Sequence, residues 1–469
     1  MRLAGIYKTL GFAACTCLLA SCDWRAAAHP ERYAPRCYNC SWEGGSCVDE
    51  PNPCLFSEPV VEQKSLNLTE LLEVALQRNP KTMQTWAEAR IAAANYGLSQ
   101  QNFYPQVNAN AFWQALREPG FFGSGAVAVN EFREYAPYLS LNYLLLDFGT
   151  TRWQADAFRQ QLIGANLSFN RSIQTLIKTV SMDYYAYVGQ TAQVEASEAN
   201  VRDAKTTLEA TEAKHRAGVS DLTDVLYAKT QVAKQTSQLV ANQKTLVDDL
   251  TILIKDMGLP ASSMLNISTD QGAIDEKELL TGIDHYLCLA YTSRPDLKAA
   301  YARMQAQHSN IMAARMDAMP KVTFDGLYGT LIFNEGINDG ANYSAQFSVV
   351  FPLFSGYFYE NQIKKARAQL ELASATFKET ELEMVQQVVA SYHDLHYSYQ
   401  EVAVNREYVE FAEGTYKAAL AQYKAGTTDI TQLVNVQTDL ADARYALAAA
   451  KQSWFDSLAQ LIYALGTYP

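Results

Sequence analysis

With 469 residues the chain has room for two or three average domains, yet it holds only 14 prolines and 23 glycines, so turns are few and the elements between them are long. A net charge of −12 provides no basic face for nucleic acid. Beyond the N-terminal leader no segment offers the roughly 18 uninterrupted apolar residues of a helical membrane span, so any membrane crossing requires strands.

The chain opens on Arg2 and Lys8 ahead of an apolar run from Thr9 to Ala20, too short to span a bilayer, which predicts a secretory signal over residues 1–21. The run ends in Leu19-Ala20-Ser21-Cys22, which resembles a bacterial lipobox, in which the cysteine is acylated and becomes the first mature residue; the alternative is an ordinary signal peptide with an incidental cysteine. Asp23 follows, and an aspartate there resembles the inner-membrane retention signal of enteric bacteria, so the lipid does not by itself select the membrane. Residues 22–60 are then expected to form a lipid-anchored segment carrying Cys37, Cys40, Cys47 and Cys54 without periodic pattern. An even cluster in an exported protein reads as two disulfides, with three connectivities open. Cys37 and Cys40 also have the spacing of zinc ligands, but the second C-x-x-C of a four-thiolate site is missing.

From residue 61 the chain is written twice, over 61–260 and 261–469. Asn79-Pro80 recurs as Arg294-Pro295 and Tyr104-Pro105 as Met319-Pro320, each 215 positions on. Leu146-Asp147-Phe148-Gly149 recurs as Leu353-Phe354-Ser355-Gly356, 207 positions on. Ala217-Gly218-Val219-Ser220-Asp221-Leu222 recurs as Ala425-Gly426-Thr427-Thr428-Asp429-Ile430, and Gly258-Leu259-Pro260 as Gly466-Thr467-Tyr468, 208 positions on. Each half predicts a helix, two strands, a very long helix, a tight turn and a second long helix.

The strands show period two. From Phe103 to Ala115 the odd positions are apolar, among them Val107 and Trp113, against Gln106, Asn108, Asn110 and Gln114. Tyr135–Leu145 sets Leu139, Leu141 and Tyr143 against Ser140 and Asn142, Val322–Ile332 sets Val322, Phe324 and Tyr328 against Thr323 and Asp325, and Tyr343–Leu353 sets Phe347, Val349 and Phe351 against Ser344, Gln346 and Ser348. Such segments resemble transmembrane β-barrel strands, with a soluble sandwich as the alternative. The long helices carry apolar stripes at Phe169, Ile173, Leu176, Ile177, Val180, Tyr184 and Tyr187, and at Leu382, Val385, Val388, Val389, Tyr392, Leu395, Tyr399 and Val402. Nearly seventy helical residues span ~100 Å, too long for a compact globule, so the helices are expected to form coiled-coil walls. Cys288 stands alone in a helical pattern and reads as a small buried residue, and His393 and His396 read as solvated or interfacial histidines in preference to metal ligands. Four strands cannot close a barrel and an open edge in lipid leaves backbone groups unpaired, so chains must associate, two for eight strands or three for twelve.

The repeated strand pair, the repeated long hairpin, the lipobox and Ala464-Leu465-Gly466-Thr467 together resemble the TolC-like outer-membrane factor family over about Leu66 to Thr467. The resemblance implies a mainly α protein with transmembrane β structure, a homotrimer whose helical hairpins form an α-barrel continuous with a twelve-stranded β-barrel. It implies a passive outlet of a tripartite efflux or type I secretion system, lipid-anchored in the outer membrane, extending into the periplasm and served by a periplasmic adaptor and an inner-membrane pump. It implies adaptor docking at the hairpin turns, Gly218, Val219, Ser220 and Asp221 with Gly426, Thr427, Thr428 and Asp429, and a periplasmic gate at Asp224 and Tyr423. Gln432 and Asn435 stand where many members place gate carboxylates, and Thr428 where they place a basic residue. The cysteine-rich segment lies outside the family pattern, and because the chain ends at Pro469 the belt around the helices is expected from the N-terminal segment and the Pro260–Lys277 connector. No phosphate loop, dinucleotide fingerprint or nucleophile with its base is present in the sequence, so no enzyme, cofactor or metal is expected. The competing class is a periplasmic adaptor or structural coiled-coil lipoprotein without its own pore; an adaptor would carry one hairpin flanked by compact β-domains, whereas this chain carries two, each preceded by strands.

Overall fold

The computed structural model describes residues 29, 34, 35, 65–121, 127–260, 263, 265–269, 282–333 and 340–468. The signal segment, Cys22 and the four cysteines Cys37, Cys40, Cys47 and Cys54 lie outside the described residues.

The first repeat begins with α1 (Leu68–Arg78) and α2 (Pro80–Ser99). Asn67 and Glu70 form a reciprocal capping box at the start of α1, and the Asn79 side chain accepts from the Lys81 amide ahead of a proline at the first position of α2. After a short 3₁₀ turn at Gln101–Phe103 come β1 (Gln106–Phe121) and β2 (Val127–Leu146). Two long helices follow, α3 (Thr150–Arg216, 67 residues) and α4 (Leu222–Asp256). The second repeat has α5 (Ile283–Ser293), α6 (Pro295–Met316), β3 (Lys321–Phe333), β4 (Gly340–Val350), α7 (Phe358–Ala425, 68 residues) and α8 (Ile430–Leu465).

Strand and helix join alike in both halves. Phe148 and Gly149 both have positive φ, as do Gly356 and Tyr357, so two successive left-handed residues redirect the chain from sheet to helix. In the first repeat Asp147 secures this corner by accepting from the amides of Gly149 and Thr151. Two strand limits differ from expectation. β1 starts at Gln106 because the preceding residues close a 3₁₀ turn, and β4 ends at Val350, just before Pro352, which has no amide for the ladder.

The four strands form one antiparallel sheet in the order β1-β2-β3-β4, so β1 and β4 are its free edges. β2 pairs with β3 although the whole first hairpin intervenes between them, and a register shift at Leu144/Leu146 bends that pairing at the end next to the helices.

Helix α3 is the centre of the helical part and packs on α2, α4, α6 and α8, while α7 lies against α8. The stripe expected on α3 is buried from Phe169 through Tyr184. On α7 the inward stripe is Met384, Val388, Ser391, Leu395, Ser398 and Val402, alternating steps of four and three residues. Leu382 is 59% exposed, so part of the stripe read from the sequence belongs to a second apolar face. Cys288 is exposed, contrary to expectation, because α5 buries only Tyr286 and Ala290. Among the described residues no helix is long and apolar enough to cross a membrane.

Candidate channel wall and hairpin tips

The register decides what each face of the sheet presents. Val107 stands opposite Leu141, Leu141 opposite Gly326 and Gly326 opposite Ala345; Leu139 stands opposite Tyr328, which faces Tyr343; Tyr143 pairs with Phe324, which faces Phe347. Directly opposed residues share a face. The other face carries Asn108 with Ser140, Asn142 with Asp325 and Gln346, and Thr323 with Ser348. Asn110 Nδ2 reaches Ser140 Oγ at 3.0 Å on that polar face. Val107, Trp113, Leu139, Tyr328, Tyr343, Phe347 and Val349 are all exposed. A contiguous apolar sheet face of this kind marks a surface that lipid or protein covers.

At the far end of the helices both turns are built on glycine. Gly218 has φ +73 and Gly426 φ +82, and a side chain at either would meet nothing within 4 Å, so glycine is there for the left-handed turn and not for close packing. The Asp429 side chain caps α8 by accepting from the Gln432 amide at 2.8 Å. Asp221 occupies the same place before α4 but makes no side-chain cap bond. Ser220 donates instead to Asp224 Oδ2 at 2.7 Å, and its carbonyl lies 2.7 Å from His215 Nδ1. Val219 is 70% exposed, and Gly218, Gly426 and Thr427 are exposed with it, while Thr428 is half-buried.

The residues expected at the gate separate into two groups. Tyr423 is buried, donating from its hydroxyl to Thr211 Oγ1 at 3.1 Å, and Lys214 Nζ donates to its carbonyl at 2.6 Å while lying 4.0 Å from its ring centroid. Asp224 is bonded to Ser220, and Gln432 and Asn435 are exposed on α8. Thr211 and Lys214 escaped the sequence reading; the available signal was a basic residue in the last turn of α3, where a cation suits the helix terminus.

The opposite ends of the hairpins meet the elbows between the short helices. Asn79 Nδ2 donates to the Asp256 carbonyl at 2.7 Å, and its repeat-equivalent, Arg294, donates to the Ala464 carbonyl at 3.2 Å. Arg294 is 1% exposed and also binds Asp296 through two nitrogens and Gln387 Oε1 at 2.9 Å. Arg171 adds an ion pair to Asp296 at 3.3 Å and stacks over Tyr463 at 3.6 Å. Burial alone would raise the Asp296 carboxyl, but the Arg294 hydrogen bond and the charges of Arg171 and Arg294 hold it below the ordinary carboxylate range. Gly258 completes the first junction: with φ +77, a Cβ there would lie 2.5 Å from the Arg78 carbonyl oxygen. Residues 265–269 run beside the start of α1, with Leu66 and Ile267 paired in parallel and Tyr184 donating to the Ser268 carbonyl.

A sheet with one apolar face and two free edges, continuous with two helical hairpins too long for a globule, defines a protomer of a membrane-embedded tubular wall. The chain belongs to the outer membrane efflux protein family, whose model matches residues 71–259 and 287–467. It is 24% identical over 410 residues to protein CyaE of Bordetella pertussis, covering 86% of this chain and 84% of that protein. It is 21% identical over 414 residues to outer membrane protein TolC of Salmonella enteritidis, covering 86% and 82%. Among solved structures it resembles the outer-membrane channel OprN, with TM-score 0.78 at 20% identity over 85% of this chain and 89% of that one. It also resembles VceC of Vibrio cholerae, with TM-score 0.75 at 20% identity over 85% and 96%. At these identities the likeness to the solved structures establishes the shared fold.

Proposed function

We propose that the protein is the outlet channel of a tripartite efflux or type I secretion system, three copies forming a passive conduit across the outer membrane that receives its cargo from an inner-membrane pump through a periplasmic adaptor. The observation that carries this reading is the register that collects the apolar positions of all four strands on one face while leaving the outer edges of β1 and β4 unpaired. Closing such edges against neighbouring copies satisfies the backbone in lipid and turns the polar face into a lumen. The exposed apolar residues along α4 and α7, among them Val240, Val247, Leu382 and Phe411, belong to the same association. Cys22 carries the lipid anchor in this reading, and residues 22–60 tether the channel beside the outer membrane.

Reconstitution of the purified protein in planar bilayers tests the reading. A channel yields discrete conductance steps, whereas an adaptor or a structural lipoprotein yields none. The same measurement addresses the gate. With Gln432 and Asn435 replacing carboxylates, the negative charge at the entrance falls to Asp224, so block by multivalent cations is expected to be weak. Asp224→Asn is expected to remove most of what block there is, and strong block surviving that change would place the constriction elsewhere.

The exposed turns at Val219 and Thr427 are the adaptor-docking tips. Photo-crosslinkers introduced there in the native host are expected to capture the adaptor, and probes on the polar sheet face, for example at Asn108, are expected to leave it uncaptured. The reverse pattern would reject the tip assignment.

A further inference from the structure

The end of the helical wall that meets the sheet is opposite in charge to the chain as a whole. Residues 90–99 of α2, 150–159 of α3, 307–316 of α6 and 358–367 of α7 lead directly into or out of the four strands. Three of these segments hold Arg90, Arg152, Arg159 and Arg315, and the fourth holds Lys364, Lys365 and Arg367. Against these seven cations stand two carboxylates, Asp156 and Glu360, a local charge of +5 in a chain of net charge −12. All seven cations are exposed, and none has an ion-pair partner among the described residues. Asp156 is already engaged, accepting from Ser309 Oγ at 2.6 Å.

Beside this collar the second repeat carries an apolar corner that the first lacks. The left-handed pairs Phe148-Gly149 and Gly356-Tyr357 align the two strand-to-helix corners at the same offset as the hairpin turns. At that offset buried Thr150 corresponds to exposed Phe358, and Asp156 and Ala157 correspond to Lys364 and Lys365. Past β4 the exposed apolar surface of Phe347 and Val349 continues through Leu353, 86% exposed, and Phe354, 79% exposed, to Tyr357 and Phe358. Phe354 and Tyr357 meet edge to face at 5.9 Å. Aromatic side chains followed by cations match the border between hydrocarbon and headgroups. Lys364 to Arg367 follow Phe358 by ~9–14 Å along α7, and a headgroup layer is ~5–7 Å deep. Helical side chains tilt toward the helix N-terminus, here the sheet end, so these long cations fold back toward that layer. A neighbouring copy brings no counter-charge: α2 and α7 are the outer helices of the row α2-α3-α6-α7, so ring closure sets the α7 end beside the α2 end, whose charge is Arg90.

We propose that the basic collar and the aromatic corner beside it bind anionic phospholipid of the leaflet nearest the helices. Leu353, Phe354, Tyr357 and Phe358 seat at the acyl border, and Lys364, Lys365 and Arg367 hold the headgroup phosphates. The inference rests on the reading of the sheet as a membrane-embedded wall. Phosphatidylethanolamine also offers a phosphate, but its own ammonium cancels the charge, so the collar selects lipids of net negative charge. Each exposed cation at such a surface contributes about fivefold to binding, and salt screens the attraction.

Lipid retention tests the collar. The full-length protein is reconstituted in vesicles of equimolar phosphatidylethanolamine and phosphatidylglycerol, released in mild detergent, and its retained lipids are measured by mass spectrometry. Wild-type protein is expected to retain phosphatidylglycerol in preference and to lose that preference when released in high salt. Lys364→Gln, Lys365→Gln and Arg367→Gln together are expected to lower the preference about tenfold or more. Lys205→Gln, Lys229→Gln and Lys234→Gln together, which remove the same charge from the far half of the helices, are expected to leave it unchanged. Phe358→Thr is expected to reduce retention of both lipids alike. No preference in the wild type, an unchanged ratio in the collar variant, or an equal fall in the control variant would overturn the collar. So would loss of assembled protein from Phe358→Thr with lipid retention intact, since a second copy would then cover the corner. Conductance in planar bilayers is recorded on each sample: discrete steps with an unaltered lipid ratio in the collar variant reject the collar and keep the channel, whereas wild-type protein without steps rejects both.

Discussion

Leu141→Arg is expected to impair assembly in the membrane by roughly 2–4 kcal/mol per site, the cost of a cation on the lipid face near the middle of a transmembrane barrel. The register makes the position unambiguous. Leu141 stands between Val107 and Gly326, and the row continues to Ala345, so the residue lies on the apolar face five residues before the end of β2. Its neighbour Ser140 lies between Asn108 and Leu327 on the opposite face, where Ser140→Arg projects into the lumen and is expected to be tolerated. Val349 shares the apolar face but is level with Val322 and Leu146, at the end of the sheet next to the helices. Val349→Arg is therefore expected to cost only about 1 kcal/mol, since the penalty falls toward the interface. Folding titrations into lipid vesicles, read as the shift of heat-modifiable assembled protein on gels, separate the three variants. Greater damage from Ser140→Arg than from Leu141→Arg would show that the two faces are exchanged.

Arg294→Met is expected to destabilise the helical part by about 3 kcal/mol, the low end for breaking a buried pair, because Asp296 loses its bidentate partner while Arg171 still compensates part of its charge. Arg294 is fully buried and its bonds converge on four acceptor atoms from three elements: two oxygens of Asp296, Gln387 Oε1 and the Ala464 carbonyl. In the variant Asp296 retains Arg171, at 3.3 Å, while Gln387 and Ala464 lose their donor. Lys at this position keeps the charge without the planar fork, so Arg294→Lys is expected to recover only part of the loss. Urea unfolding followed by circular dichroism measures the difference. Its pH dependence is a second readout: in the wild type the Asp296 contribution is present above the ordinary carboxylate range and lost as pH falls below it, and in Arg294→Met that acid sensitivity is expected to shrink. An unchanged midpoint in both variants would make Arg294 an incidental filler of the elbow.

Much of this architecture is legible in the chain because its periodicities are long. Period two survives over ten or more residues in each strand, and every position of the α3 stripe from Phe169 to Tyr184 is buried, with Arg171, Gln174 and Ser181 buried beside it. The constant offset between Gly218 and Gly426, both left-handed, announces two equivalent hairpins. Where reading failed, the competing physics is identifiable. Leu382 reads as core but is 59% exposed, since a helix of 68 residues serves more than one neighbour and the pattern does not distinguish them. Cys288 reads as buried and is exposed, because α5 is covered along only one narrow stripe.

The sequence by itself determined the element order, the two-fold repetition, the amphipathic strands and the glycine turns, since these follow from local backbone preference and from side-chain spacing along a single segment. Only the tertiary structure decided which strand faces which, because β2 and β3 are joined by an intervening hairpin and their register depends on contacts between residues some two hundred positions apart. It alone placed Lys214 and Thr211 on Tyr423 and brought Arg171 to Asp296. These polar contacts join helices distant in the chain, and a single charged residue on a long amphipathic helix reads the same whether it ends in solvent or in a buried pair; its partner is chosen by helix packing, which periodicity along one segment does not encode.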